Sequence, residues 1–121
     1  MAMAKLVLVV DDNHLIRTLL AKVLEPVCQV ATASSGAEAL AFLDSVTPDL
    51  IILDLMMPGM SGEEFLQALG EKSCSHRVII LSAHAERMRE LIKHEAVVDI
   101  INKKTPEMGA IVESVRKALE N

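Results

Sequence analysis

"LVLVVDDNHLIRTLL", residues 6–20, decides how the rest of the chain is read. Its aliphatic run ends abruptly in two adjacent carboxylates, Asp11 and Asp12, and a helical pattern starts directly behind them. Continuous rather than alternating apolarity marks a strand buried on both faces, as parallel sheets covered by helices require. Leu15, Ile16, Leu19, Leu20, Val23 and Leu24 then recur at helical spacings as one apolar stripe, before Pro26 stops the helix. The stretch therefore reads as a strand, a polar corner and a helix.

The same unit recurs along the chain. "LIIL" (50–53), "VIIL" (78–81) and "VVDII" (97–101) read as further buried strands, and "VCQVATA" (27–33) as a weaker fifth. Helical patterns fit 36–45, 62–70, 86–95 and 106–120. The last opens with Thr105 as N-cap and Pro106 at the first helical position, and it places Ile111, Val112, Val115, Ala118 and Leu119 on one face. Five strands alternating with five helices predict an α/β fold of (βα)5 type, a doubly wound five-stranded parallel sheet with right-handed crossovers covering both faces. No repeat, low-complexity tract or Pro/Gly/Ser linker interrupts the pattern, so residues 1–121 read as one domain with no output domain attached.

Composition narrows the function classes. The net charge of −5 argues against direct nucleic-acid contact, which favours basic surfaces. No apolar run approaches the ~18 residues of a membrane span, and "MAMAKLVLVV" lacks a signal-peptide cleavage site, so a cytoplasmic protein without membrane insertion is expected. Cys28 and Cys74 are widely separated and form no CxxC, which favours reduced thiols over a zinc site or a disulfide framework. His14, His76, His84 and His94 share no metal-ligand spacing and read as surface histidines.

In open α/β sheets, sites form beyond the carboxyl ends of the strands. Three predicted strands end there in residues unsuited to a core: Asp11 and Asp12 after the first, Asp54 after the third, Ser82 after the fourth. The fifth runs into Asn102, Lys103 and Lys104. Taken singly, Asp11 and Asp12 could be a turn or an N-cap, Asp54 a turn former, Ser82 an ordinary strand end and the lysines a solvated pair. Gathered at one sheet edge, three carboxylates repel one another unless a cation holds them ionised. Mg²⁺ meets that need, since it prefers oxygen ligands and binds through one or two carboxylates plus phosphate oxygens. A divalent ion, a lysine and a hydroxyl beside a carboxylate form a phosphoryl-transfer arrangement, with Asp54 as the nucleophile and an acyl phosphate as the product.

The motifs "VVDDN" (9–13) followed by Arg17, "SSGAEAL" (34–40), "PDLIILDLMMPGMSGEEFL" (48–66), "VIILSA" (78–83) and the lysine of "IINKK" (100–104) occur in an order that resembles the receiver domain of two-component response regulators. The resemblance spans essentially the whole chain and implies the strand order 2-1-3-4-5. It also implies residue roles: Asp54 as phosphoacceptor, and Asp11 and Asp12 with the backbone carbonyl of Met56 as Mg²⁺ ligands. Ser82 becomes the switch hydroxyl and Lys103 the partner of the phosphoryl group. The implied donor is a histidine kinase or phosphotransfer protein, and the implied recipient a downstream effector protein or a fused output domain. A receiver promotes its own phosphorylation and slow dephosphorylation rather than turning over a substrate.

Several positions depart from the family pattern. Ile100 stands where a switching Tyr or Phe is usual, and Lys104 where a proline normally follows the lysine; Glu95 and Ala96 replace a glycine before the fifth strand. These departures keep open a degenerate receiver that binds partners without phosphorylation. An aspartyl-nucleophile phosphatase is a further alternative, but Met56 occupies the place of its general acid. His84 and Met56 sit where this family tunes water access. Met56, Met57 and Met60 read either as loop packing or as an adaptable contact surface.

Overall fold

Aliphatic runs that are apolar at every position must be covered from both sides, and the chain does this with two helical layers. The computed structural model describes residues 5–55, 59–60, 62–70, 76–83, 96–102 and 108–120. Strands β1 (Leu6–Val10), β2 (Gln29–Ala33), β3 (Leu50–Asp54), β4 (Val78–Ser82) and β5 (Val97–Asn102) form one sheet in the order β2-β1-β3-β4-β5. Every pairing is parallel. Four helices are described: α1 (His14–Leu24), α2 (Gly36–Leu43), α3 (Gly62–Gly70) and α4 (Met108–Glu120). The doubly wound α/β fold expected from the sequence is the fold observed. The helix expected over 86–95 and the Thr105–Pro106 start of the last helix lie outside the described residues, as does Cys74.

Strand periodicity sorts the core into two layers. Leu8, Val10, Ile51, Leu53, Val78 and Ile80 point to one side and pack with Ala39 and Leu43 of α2 and Phe65, Leu66 and Leu69 of α3. Val7, Val9, Ile52, Ile79 and Leu81 point to the other, against Leu20 and Leu24 of α1 and Ile111, Val115 and Ala118 of α4. Central β3 and β4 are buried along their whole length, whereas edge β2 is largely half-exposed, which explains its weaker apolar signature. Cys28 is buried beside α1, and that burial raises its thiol pKa.

Two sequence expectations are modified. The apolar residues of α1 do not form one buried stripe: Leu20 and Leu24 face the sheet with Ile16, whereas Leu15 is 76% exposed and Leu19 41%. A helix on a flat sheet buries a single row of its surface, and the row at 16, 20 and 24 takes that place. In β5, consecutive residues of β4 pair with Val97 and Asp99, so Val98 is an extra residue and projects into solvent. This local bulge falls inside what reads in sequence as one regular strand.

Candidate functional site

The strand register brings the acids together. Val10 pairs with Leu53, so the residues that follow, Asp11 and Asp54, reach the same end of the sheet on neighbouring strands. Adjacent strands lie about 4.8 Å apart, which sets the scale of their separation. One carboxylate oxygen from each of Asp11, Asp12 and Asp54 lies within 4.8 Å of the others. Asp11 and Asp54 are almost wholly buried, at 0% and 1% exposure, while Asp12 opens to solvent. The group is thus a buried pair with an acidic lip.

Local chemistry fixes the first two acids. The Asp11 backbone N–H donates to the Ala33 carbonyl at 3.1 Å, which carries the β1–β2 ladder one residue past the strand. Asp11 Oδ1 accepts the Asn13 backbone N–H at 2.9 Å, closing a tight turn. Asn13 then caps α1, its Oδ1 accepting the N–H groups of Leu15 at 2.9 Å and Ile16 at 3.2 Å. From the first turn of the helix, Arg17 Nη1 reaches back and donates to the Asp11 carbonyl at 2.6 Å. The supporting roles of Asn13 and Arg17 escaped the sequence reading. A polar residue just before an apolar helix, with a cation four positions on, was the available signal.

Asp54 pairs with Leu81, so Ser82 stands one residue further along β4, and it is 1% exposed. The Leu55 N–H donates to the Leu81 carbonyl at 3.4 Å, which keeps β3 against β4 just past the acid. Ser82 in turn pairs with Asn102, the last residue of β5. Lys103, Lys104, Met56, Met57 and His84 lie outside the described residues. The carboxyl edge therefore assembles Asp11, Asp12, Asp54 and Ser82 as expected. Ile100, at the position of the missing aromatic, is 6% exposed and packed in the core layer shared with α2 and α3.

The donor set fits a hard divalent cation. All three groups offer carboxylate oxygens, and opposite corners of a magnesium octahedron lie about 4 Å apart, close to the spread seen here. Such an ion would also offset the cost of burying two carboxylates side by side.

Residues 7–116 match the family model described as the response regulator receiver domain. Among curated proteins, the nitrate/nitrite response regulator protein NarL of Escherichia coli is 37% identical over 95 residues, covering 74% of this chain and 44% of NarL. The positive alginate biosynthesis regulatory protein of Pseudomonas aeruginosa is 39% identical over 100 residues, covering 75% of this chain and 38% of its own length. The chain thus spans less than half the length of these two relatives. Among solved structures, the response regulator protein TrrA from Thermotoga maritima, determined in complex with Mg(2+)-BeF, superposes with a TM-score of 0.84 at 35% identity. That match covers 95% of this chain and 99% of the other. Fold, sequence and the placement of the acids agree, and the chain belongs to the response regulator receiver domain family of two-component signalling.

Proposed function

We propose that this receiver domain takes a phosphoryl group from the phosphohistidine of a histidine kinase or phosphotransfer protein onto Asp54. The modification then changes which downstream effector protein, or fused output domain, it engages in the cytoplasm. The observation that carries this reading is the close grouping of Asp11, Asp12 and Asp54, with the last buried at the end of a central strand. A carboxylate oxygen of Asp54 attacks phosphorus, an O–P bond forms, and the P–N bond to the donor imidazole breaks with its electron pair left on nitrogen. Asp11, Asp12, Asp54 and the Met56 carbonyl would hold Mg²⁺, which when bound offsets the negative charge gathering on the phosphoryl oxygens. The likeness to TrrA, solved with Mg(2+)-BeF, supports a magnesium-dependent site.

The protein's own groups do the rest. Arg17 and the Asn13 turn hold the Asp11–Asp12 corner in place, so little reorganisation is needed when the donor arrives. Ser82, buried one position beyond the level of Asp54, donates its hydroxyl to a phosphoryl oxygen, and Lys103 pairs with the same group. The modified state differs from the unmodified one only through such contacts, so they supply the bias between two arrangements of the loops and helices. With Ile100 already packed in the core, that rearrangement proceeds without an aromatic rotamer switch. The domain acts as an acceptor that promotes its own modification, not as an enzyme turning over a substrate.

The test is incubation with acetyl phosphate, with and without Mg²⁺, followed by intact mass. A single phosphoryl adduct that requires Mg²⁺ and is lost in Asp54→Asn is the expected result. A folded protein that forms no adduct under any condition would leave a phosphorylation-independent binding domain as the better account.

A further inference from the structure

The sheet has two edges, and the chain treats them differently. The β5 edge is blunted: Val98 bulges out of register, and the Asp99 carboxylate takes the Ile100 N–H at 2.8 Å. Bulges and charged side chains at an edge both discourage a further strand from pairing there. The β2 edge has neither. Its sequence QVATA contains no charged residue and no proline, and its register with β1 runs unbroken from Leu6–Gln29 to Val10–Ala33.

The hydrogen bonds of β2 show which of its groups face outward. A residue in a parallel strand turns its N–H and its C=O toward the same neighbour, and successive residues alternate. The Gln29 N–H donates to the Lys5 carbonyl at 2.8 Å, and the Ala33 carbonyl accepts the Asp11 N–H at 3.1 Å, so Gln29, Ala31 and Ala33 face β1. Val30 and Thr32 therefore turn their N–H and C=O groups to the open edge, where no described residue bonds them. Space lies beside them as well. Between α1 and this edge is a recess of about 580 Å³, lined by Ala21, Lys22, Glu25, Cys28, Gln29 and Val30.

We propose that this edge pairs with β2 of a second copy of the chain, antiparallel about a two-fold axis through Ala31, joining two five-stranded sheets into one. The pattern is its own complement. With Ala31 on the axis, Val30 of each copy stands opposite Thr32 of the other, and each such pair exchanges both N–H···O=C bonds, so every outward group of these two residues is satisfied. The closest approach in an antiparallel pair, about 4.5 Å between Cα atoms, falls at residues that exchange no bonds, and here that position sets Ala31 against its own copy. Val30 points into the layer beneath α1, and opposite residues share a face, so Thr32 of the second copy enters the recess. Electrostatics favours this surface: copies of net charge −5 repel, β2 is uncharged, and the recess presents Lys22 and Glu25, one charge of each sign. A strand of five residues buries less than the ~800 Å² per partner of a standard interface, so the dimer is weak and reversible. The pairing does not depend on phosphorylation.

Two measurements on the wild-type chain test this. In sedimentation equilibrium the average mass is expected to rise from that of one chain toward that of two between about 10 µM and about 1 mM. Over the same range, amide exchange followed by NMR is expected to slow about fivefold at Val30 and Thr32 and to stay constant at Ala31, whose N–H already faces β1. Thr32→Pro removes an outward donor while leaving the β1 ladder whole, and is expected to weaken association about tenfold. Ala31→Lys and Ala31→Glu set like charges face to face on the axis, so each alone should stay monomeric, whereas an equimolar mixture should dimerise. A wild-type chain that stays monomeric throughout overturns the proposal. Association without protection at Val30 and Thr32 puts the contact on another face and overturns it too, as does a folded Thr32→Pro that associates like wild type. A mixture of the two Ala31 variants no more associated than either alone overturns the two-fold axis at Ala31. Should a variant not fold by circular dichroism, the exchange rates of the wild-type chain decide.

Discussion

Arg17 shows how a residue on a solvent-facing helix can belong to a buried site. Its guanidinium donates to the carbonyl of Asp11 at 2.6 Å and thereby fixes the peptide that joins the two acids. A hydrogen bond from a charged donor contributes about 1.5–3 kcal/mol, part of which water replaces at a half-exposed position. Arg17→Ala is expected to lower stability by about 1–2 kcal/mol in urea unfolding and to raise the Mg²⁺ concentration needed for half-maximal phosphorylation several-fold. An unchanged Mg²⁺ requirement would show that the corner is held by the Asn13 turn alone. At this scale the residues that meet at the carboxyl edge were legible, because Asp11, Asp12, Asp54 and Ser82 each interrupt apolar runs where a core residue belongs. The residues that hold them were not. Arg17 and Asn13 act through backbone atoms, which leave no mark in side-chain type.

At the level of elements, the strand farthest from the acidic corner carries a tie of its own. Asp99, beside the bulge in β5, accepts the Ile100 N–H on Oδ1 at 2.8 Å and the Ser114 hydroxyl of α4 on Oδ2. One carboxylate thus joins the last strand to the last helix. Ser114→Ala would leave a half-buried carboxylate short of a donor, and a loss of about 1–2 kcal/mol is expected in thermal or urea melts. Ser114→Thr, which restores a hydroxyl, should recover part of it. Strand and helix identities were readable from periodicity, but the orientation of α1 was not. Rows 15/19 and 16/20/24 are both apolar, and only the sheet surface chooses between them. The bulge at Val98 was equally hidden, because it concerns the pairing of backbones and not the character of side chains. Strand order came from family resemblance rather than from pattern, since continuous apolar runs say that strands are central without saying which neighbours which.

For the molecule as a whole, the acidic group is expected to link metal binding to global stability. Among the described residues no helix is long and apolar enough to cross a membrane, and the two core layers share one sheet, so unfolding should be cooperative. A ligand that binds only the folded state stabilises it by ~2.7 kcal/mol when present at one hundred times its dissociation constant. Raising Mg²⁺ should therefore raise the melting temperature by several degrees, EDTA should reverse the gain, and Asp11→Asn should abolish most of it. A melting temperature indifferent to Mg²⁺ in the wild-type chain would remove the acidic group as a metal site. The sheet order has a consequence for how the chain is made. Leu6 pairs with Gln29, Val7 with Leu50, Ile51 with Val78 and Val78 with Val97, so no two paired strands form a hairpin and each pairing closes a long loop. The first three strands nevertheless build a contiguous block by themselves, to which β4 and then β5 add at one open edge. During synthesis the nascent polypeptide can thus assemble vectorially, with the two buried acids already side by side before the ribosome has delivered the strand that carries Ser82.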